Sequence, residues 1–262
     1  MLFDFELAPL ESHTSAAHPA NPALSWYTLT QGEYWITVGN SILLEYAEAA
    51  RTGGTPRYCR YPVARLHEDI LTMLPCILEP VPAALVQYLA GDGAAAWWEA
   101  YETWYDRGFG AGPDPRLQRI DGDAHGLLYG RVLDTSYLAP LTSVTIWSDD
   151  ENVHFAWDNR AGILDGVPAW TAVHGEFHMP RREFLAEIQS FNNRLVEQMA
   201  GRIEQLRSGA LPPEIAIDFD ALASEHDERG DVLHEALSLK VRTDWPAVER
   251  AISEVHAMLR GA

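Results

Sequence analysis

The sequence predicts an α+β fold in which an antiparallel sheet is covered by a long amphipathic helix, with a helical insert over about residues 63–107 and a C-terminal helix. Three observations carry this expectation. Short segments alternate apolar and polar residues with period two, as half-buried strands do. The stretch from Pro180 to about Arg207 instead repeats apolar residues at spacings of three and four, which places them on one helical face. Finally, 262 residues with 47% hydrophobic content, including nine Trp, ten Tyr and eight Phe, are enough for one large core, so the expected organisation is a single domain over 1–262.

The elements follow in order. Phe3, Phe5 and Leu7 alternate with Asp4 and Glu6, a strand ended by Pro9. Residues 11–23 are rich in Ser, Ala, Pro and His without apolar periodicity and read as a surface loop. Residues 26–30 and 34–40 are two β-rich runs around Gln31-Gly32-Glu33, as in a hairpin. Ile42 to Tyr46 is compatible with a further strand or a helix start. Leu66, Ile70, Met73, Leu74, Leu85, Val86 and Leu89 have helical spacing, and Pro75, Pro80 and Pro82 divide them into two helices. Ala94 to Asp106 predicts a third helix whose aromatic face, Trp97 to Tyr105, docks into the core. Gly108 to Pro115 reads as a loop.

In the second half the period changes. Strands are expected at 127–133, 141–147, 153–157 and 170–177, the middle two joined by the acidic turn Ser148-Asp-Asp-Glu-Asn with Val144, Ile146, Phe155 and Trp157 available for burial. The long helix then carries Phe184, Ile188, Phe191, Leu195, Met199, Ile203 and Leu206 as one stripe, and Pro212-Pro213 stop it. Residues 224–231 read as a charged loop. A terminal helix spans Trp245 to Leu259, opened by Thr243 or Asp244 with Pro246 near its first turn.

Charge narrows the functional classes. Asp and Glu number 38 against 19 Lys and Arg, a formal charge of −19. Such a field repels nucleic-acid phosphate and anionic lipid and speeds encounter with basic proteins. The N-terminus is acidic where a secretory signal needs a basic region, and no apolar run reaches the roughly 20 residues of a membrane span, so a cytoplasmic protein is expected. Cys59 and Cys76 form no CxxC pair and indicate neither a disulfide framework nor a cysteine zinc site.

Two candidate sites emerge. Asp149, Asp150 and Glu151, together with Asp158 and the Glu225, Asp227, Glu228 group, are carboxylates that a basic protein partner, such as a toxin, could engage by charge-assisted bonds. Asp158 and Arg160 are also placed to satisfy one another. The alternative is a metal-dependent enzyme: in a strand, His174, Glu176 and His178 share one face, and two imidazoles with a carboxylate are the ligand types of zinc or non-heme iron. Val173, Phe177 and Met179 would then face the core. Same-face neighbours on one strand are about 7 Å apart, so such a site requires a tilted ring or a further ligand. No cofactor is otherwise indicated. His67-Glu68-Asp69 lacks the second His of a metalloprotease helix, and the glycine-rich stretches lack phosphate-loop spacing.

Phe3-Asp-Phe-Glu-Leu-Ala-Pro-Leu, Leu24-Ser-Trp-Tyr-Thr-Leu-Thr-Gln-Gly-Glu-Tyr-Trp-Ile, Trp157-Asp-Asn-Arg, Gly166-Val-Pro-Ala-Trp-Thr-Ala and the Phe191 to Arg202 segment resemble a bacterial family of unknown function over nearly the whole chain. The resemblance implies no activity and transfers no catalytic residue. Size and acidity are similar in character to those of immunity proteins encoded beside secreted bacterial toxins.

Overall fold

Alternating side chains build the first sheet. The computed structural model describes residues 1–15, 24–109, 114–211, 215 and 217–260. Strand β1 (Phe3–Leu7) pairs antiparallel with β2 (Gln31–Val38), which also pairs antiparallel with β3 (Ser41–Leu43) and β4 (Cys59–Pro62). The register sets Phe3 opposite Ile36 and Phe5 opposite Tyr34. All four point into the core, as the period of two requires.

Residues 26–29 are not the first arm of a hairpin. They form the short helix α1 (Trp26–Leu29), because Ser25 and Thr28 make a reciprocal capping box and their side chains satisfy each other's backbone N–H. The turn brings Trp26 and Leu29 onto one buried face. Pro75 does not cut the next helix either. It sits inside α2 (Val63–Ile77), in the last turn, and Leu78 N still donates to Leu74 O at 3.0 Å, so only the local bond is lost. A single short turn, α3 (Ala83–Val86), precedes α4 (Gly91–Phe109). Of the helices over 63–107, α2 lies in the main core and α4 in a second one.

Helix α5 (Pro115–His125) was not expected. Asp114 caps it by accepting from Arg116 N at 2.8 Å, and Pro115 occupies its first turn. Of the loop expected at 108–115, residues 110–113 lie outside the described residues, while Gly108 still belongs to α4 and Pro115 already to α5. Residues 127–133 are turns, not a strand. They touch the second sheet through the single Val132–Thr145 bridge.

That second sheet is the antiparallel ribbon β5 (Val144–Ser148), β6 (Asn152–Asp158) and β9 (His174–Pro180), in that order. Between β6 and β9, β7 (Ile163–Leu164) and β8 (Val167–Pro168) make a small hairpin turned by Asp165 and Gly166, both with positive φ. Three long helices follow: α6 (Arg181–Arg207), α7 (Phe219–Ser238) and α8 (Trp245–Arg260). Residues 224–231, expected as a loop, lie inside α7. The α6 stripe is buried throughout, from Phe184 to Leu206. Phe191 stacks on Phe3 at 5.5 Å and meets Phe5 edge-on at 5.7 Å, which docks α6 onto the first sheet.

The second sheet separates two cores. Val144, Ile146, Val153, Phe155 and Trp157 face the larger core shared with the first sheet, α2, α6 and α7. Trp147 and Ala156 face the smaller one, built by α4, α5 and α8 with Val81, Leu85 and Leu89.

Candidate functional site

At the tip of the β5–β6 hairpin Asp149 is occupied with folding. Its Oδ1 accepts from Glu151 N at 2.8 Å and Asn152 N at 2.7 Å, and its Oδ2 lies 2.7 Å from His154 Nε2. Partial burial works against ionisation, yet these donors outweigh it and hold the carboxyl down to about 2. Arg181 clamps the same turn, bonding Asp149 O at 3.1 Å and Leu78 O at 2.7 Å. Asp150 and Glu151 remain exposed. Asp158 stands at the other end of β6, about 20 Å along the strand from the tip. It is paired with Arg160, whose Nε is 2.9 Å from Oδ1, and that guanidinium lowers its pKa.

The third acidic group lies on α7, and the helix sorts its members by face. Glu225 turns inward, where Oε2 accepts from Trp26 N at 3.1 Å and Oε1 meets Arg229 at 3.1 Å. Arg229 bridges to Glu68 at 2.6 Å and lies 4.4 Å over the Trp26 ring. His226 Nδ1 accepts from Trp26 Nε1 at 3.2 Å. These polar residues fill the inward positions between Leu222 and Leu233, which hides the apolar period of the helix from the sequence. The outward face carries Asp220, Asp227, Glu228, Asp231 and Glu235, all exposed. At 1.5 Å per residue they span about 22 Å. Among the described residues no cation stands within ion-pair distance of any of them.

These acids do not converge on one patch. Arg229 meets α2 at Glu68, whereas the hairpin abuts Leu78 and Pro80 beyond its other end. Ten residues of helix, about 15 Å, separate the two levels.

On β9, His174, Glu176 and His178 do share a face, and it is exposed, while Phe177 and Met179 pack inward. Val173 is outside the strand and 36% exposed, contrary to expectation. The register adds a residue that the sequence did not suggest: His154 on β6 is directly opposite His178, with ring centroids 5.7 Å apart, and Trp147 stacks on its other side at 5.3 Å. Among the described residues no three His, Cys, Asp or Glu side chains are grouped as a metal requires. His67 is spent in the core, its Nε2 2.9 Å from Asn192 Oδ1. Both cysteines are buried free thiols.

Comparison with known proteins sets the frame for these groups. A family model described as a family of unknown function (DUF5984) matches residues 2–251. The chain belongs to the DUF5984 family. No curated protein and no solved structure matches it. The motif segments have structural work in this DUF5984 protein. Asn159 is buried, accepts from Thr142 Oγ1 at 2.7 Å and Ser143 N at 2.9 Å, and donates to Ala172 O at 2.9 Å, which ties both ends of the β6–β9 connection together. Trp170 is buried and stacks on Tyr46 at 4.5 Å.

Proposed function

We propose that this protein is a non-enzymatic acidic binding protein of the cytoplasm that neutralises a basic protein partner, in the manner of an immunity protein against a bacterial toxin. The outward face of α7 carries the reading. It aligns Asp220, Asp227, Glu228, Asp231 and Glu235, while the one arginine of that helix, Arg229, is turned inward to Glu68 and Trp26. Elsewhere Arg57, Arg60, Arg65, Arg116, Arg119 and Arg160 are committed to neighbouring carboxylates. Much of the cationic charge is thereby consumed locally, and the α7 row keeps its own. A row of fixed carboxylates attracts a basic surface over about one Debye length, roughly 8 Å in physiological salt, and accelerates encounter more than it strengthens the final complex.

The test is affinity capture from the producing cells with the intact protein and with its Asp227→Lys/Asp231→Lys/Glu235→Lys variant. The expected result is one discrete basic protein, retained at low salt, released near 0.5 M salt and absent with the variant. Co-expression of that protein should arrest growth unless the intact chain is present. Capture of no basic protein, or equal capture by the variant, refutes the reading.

A further inference from the structure

The aromatic face of α4 divides into two. Trp97, Tyr101 and Trp104 enter the smaller core. Trp98 and Tyr105 stay outside, 48% and 42% exposed. These two rings are not scattered surface residues. Tyr101 joins them at its rim, with centroids 5.8 Å from Trp98 in a stacked arrangement and 6.2 Å from Tyr105. The hydroxyl of Tyr101 donates to Asp121 on α5, so the ladder rests on a fixed rung. At 100° per residue, Glu99, Glu102 and Asp106 form a row beside the rings, all exposed. Among the described residues none of the three is ion-paired, and the nearby Arg116 and Arg119 are held by Glu254 and Asp123.

The geometry points to this face as a docking surface for an arginine-rich segment of a protein partner. A guanidinium is planar and weakly hydrated, so it stacks on a tryptophan or tyrosine face while its edge donates to a carboxylate. Trp98 supplies the ring and Glu102, one turn further along, supplies the carboxylate. A lysine ammonium takes only part of this, as a compact point charge. The net charge of −19 disfavours an anionic occupant, and exposed Trp and Tyr are the residue types that anchor protein interfaces. The inference rests on the proposed reading that the partner is basic, and adds where it docks and which side chain is read.

Titration calorimetry of the full chain with nona-arginine and nona-lysine peptides in 150 mM salt tests it. The intact protein should bind the arginine peptide about fivefold more tightly than the lysine peptide, the scale of one exposed cation–π contact. Trp98→Ala should bring the ratio close to one, and Trp98→Phe should restore part of it. Circular dichroism checks that helix content is kept. Asp227→Asn/Asp231→Asn/Glu235→Gln should weaken both peptides alike and leave the ratio intact. A ratio near one in the intact protein, or one that survives Trp98→Ala, overturns this surface while the α7 reading stands. Failure to bind either peptide overturns both.

Discussion

Asp149 illustrates how a carboxylate that invites a functional reading is committed to the fold. Two backbone N–H groups and His154 hold it, and its pKa lies near 2, below the ordinary 3.8. The sign follows: a depressed carboxyl contributes stability that is full above about pH 4 and lost as pH falls through 2. Asp149→Ala should therefore be less stable than the parent at pH 5, with the gap narrowing steadily towards pH 2.5. Urea midpoints at the two pH values measure it, and a constant gap contradicts the assignment. The turn itself was legible from Ser148-Asp-Asp-Glu-Asn. What the sequence concealed was which acids stay free, because Asp149 is bound by its own hairpin and Glu225 by Trp26, 199 positions away. Asp150, Asp227 and Glu228 were legible as exposed acids and stand so.

At the scale of the element, legibility followed how local the cause was. The α6 stripe is periodic over 27 residues and could be read outright. The capping box turned residues 26–29 into a helix against their β propensity, although the Ser25 and Thr28 signal was present in the sequence. The Asp165-Gly166 turn carries an equally local hairpin signal, with both residues at positive φ. In α7 the period was broken by inward polar residues whose partners come from α1 and α2, and no local reading supplies those. Gly175 belongs to the same class. A Cβ on Gly175 would lie 2.5 Å from the Trp157 ring, which crosses it from the neighbouring strand. Gly175→Ala should displace that buried ring and cost about 1–3 kcal/mol, as overpacking does. Chemical denaturation measures the loss; no loss means Trp157 has room to move.

For the molecule as a whole, the question is how the two cores on either face of the second sheet are held together. Arg131 stands at the seam with its side chain 1% exposed. Its Nη2 meets Glu79 Oε2 at 2.9 Å, and its guanidinium lies 4.9 Å over Trp245 at the start of α8. Glu79, just past the end of α2, also accepts from Thr243 N and Thr243 Oγ1, both at 2.6 Å. One arginine thus ties α2 of the larger core to the start of α8 in the smaller. Removing one member of a buried pair leaves the other charge uncompensated, at about 3–5 kcal/mol. Arg131→Met keeps the bulk and deletes the charge, so that cost should appear mainly where the clamp acts. Amide exchange in α5 and α8 should accelerate well before exchange in α6 and β1–β2, whose packing through Phe3, Phe184 and Phe191 is untouched. An equal rise in all elements would mean that the two cores open only together. In that case the three-helix lobe that presents Trp98 could not loosen without unfolding the chain.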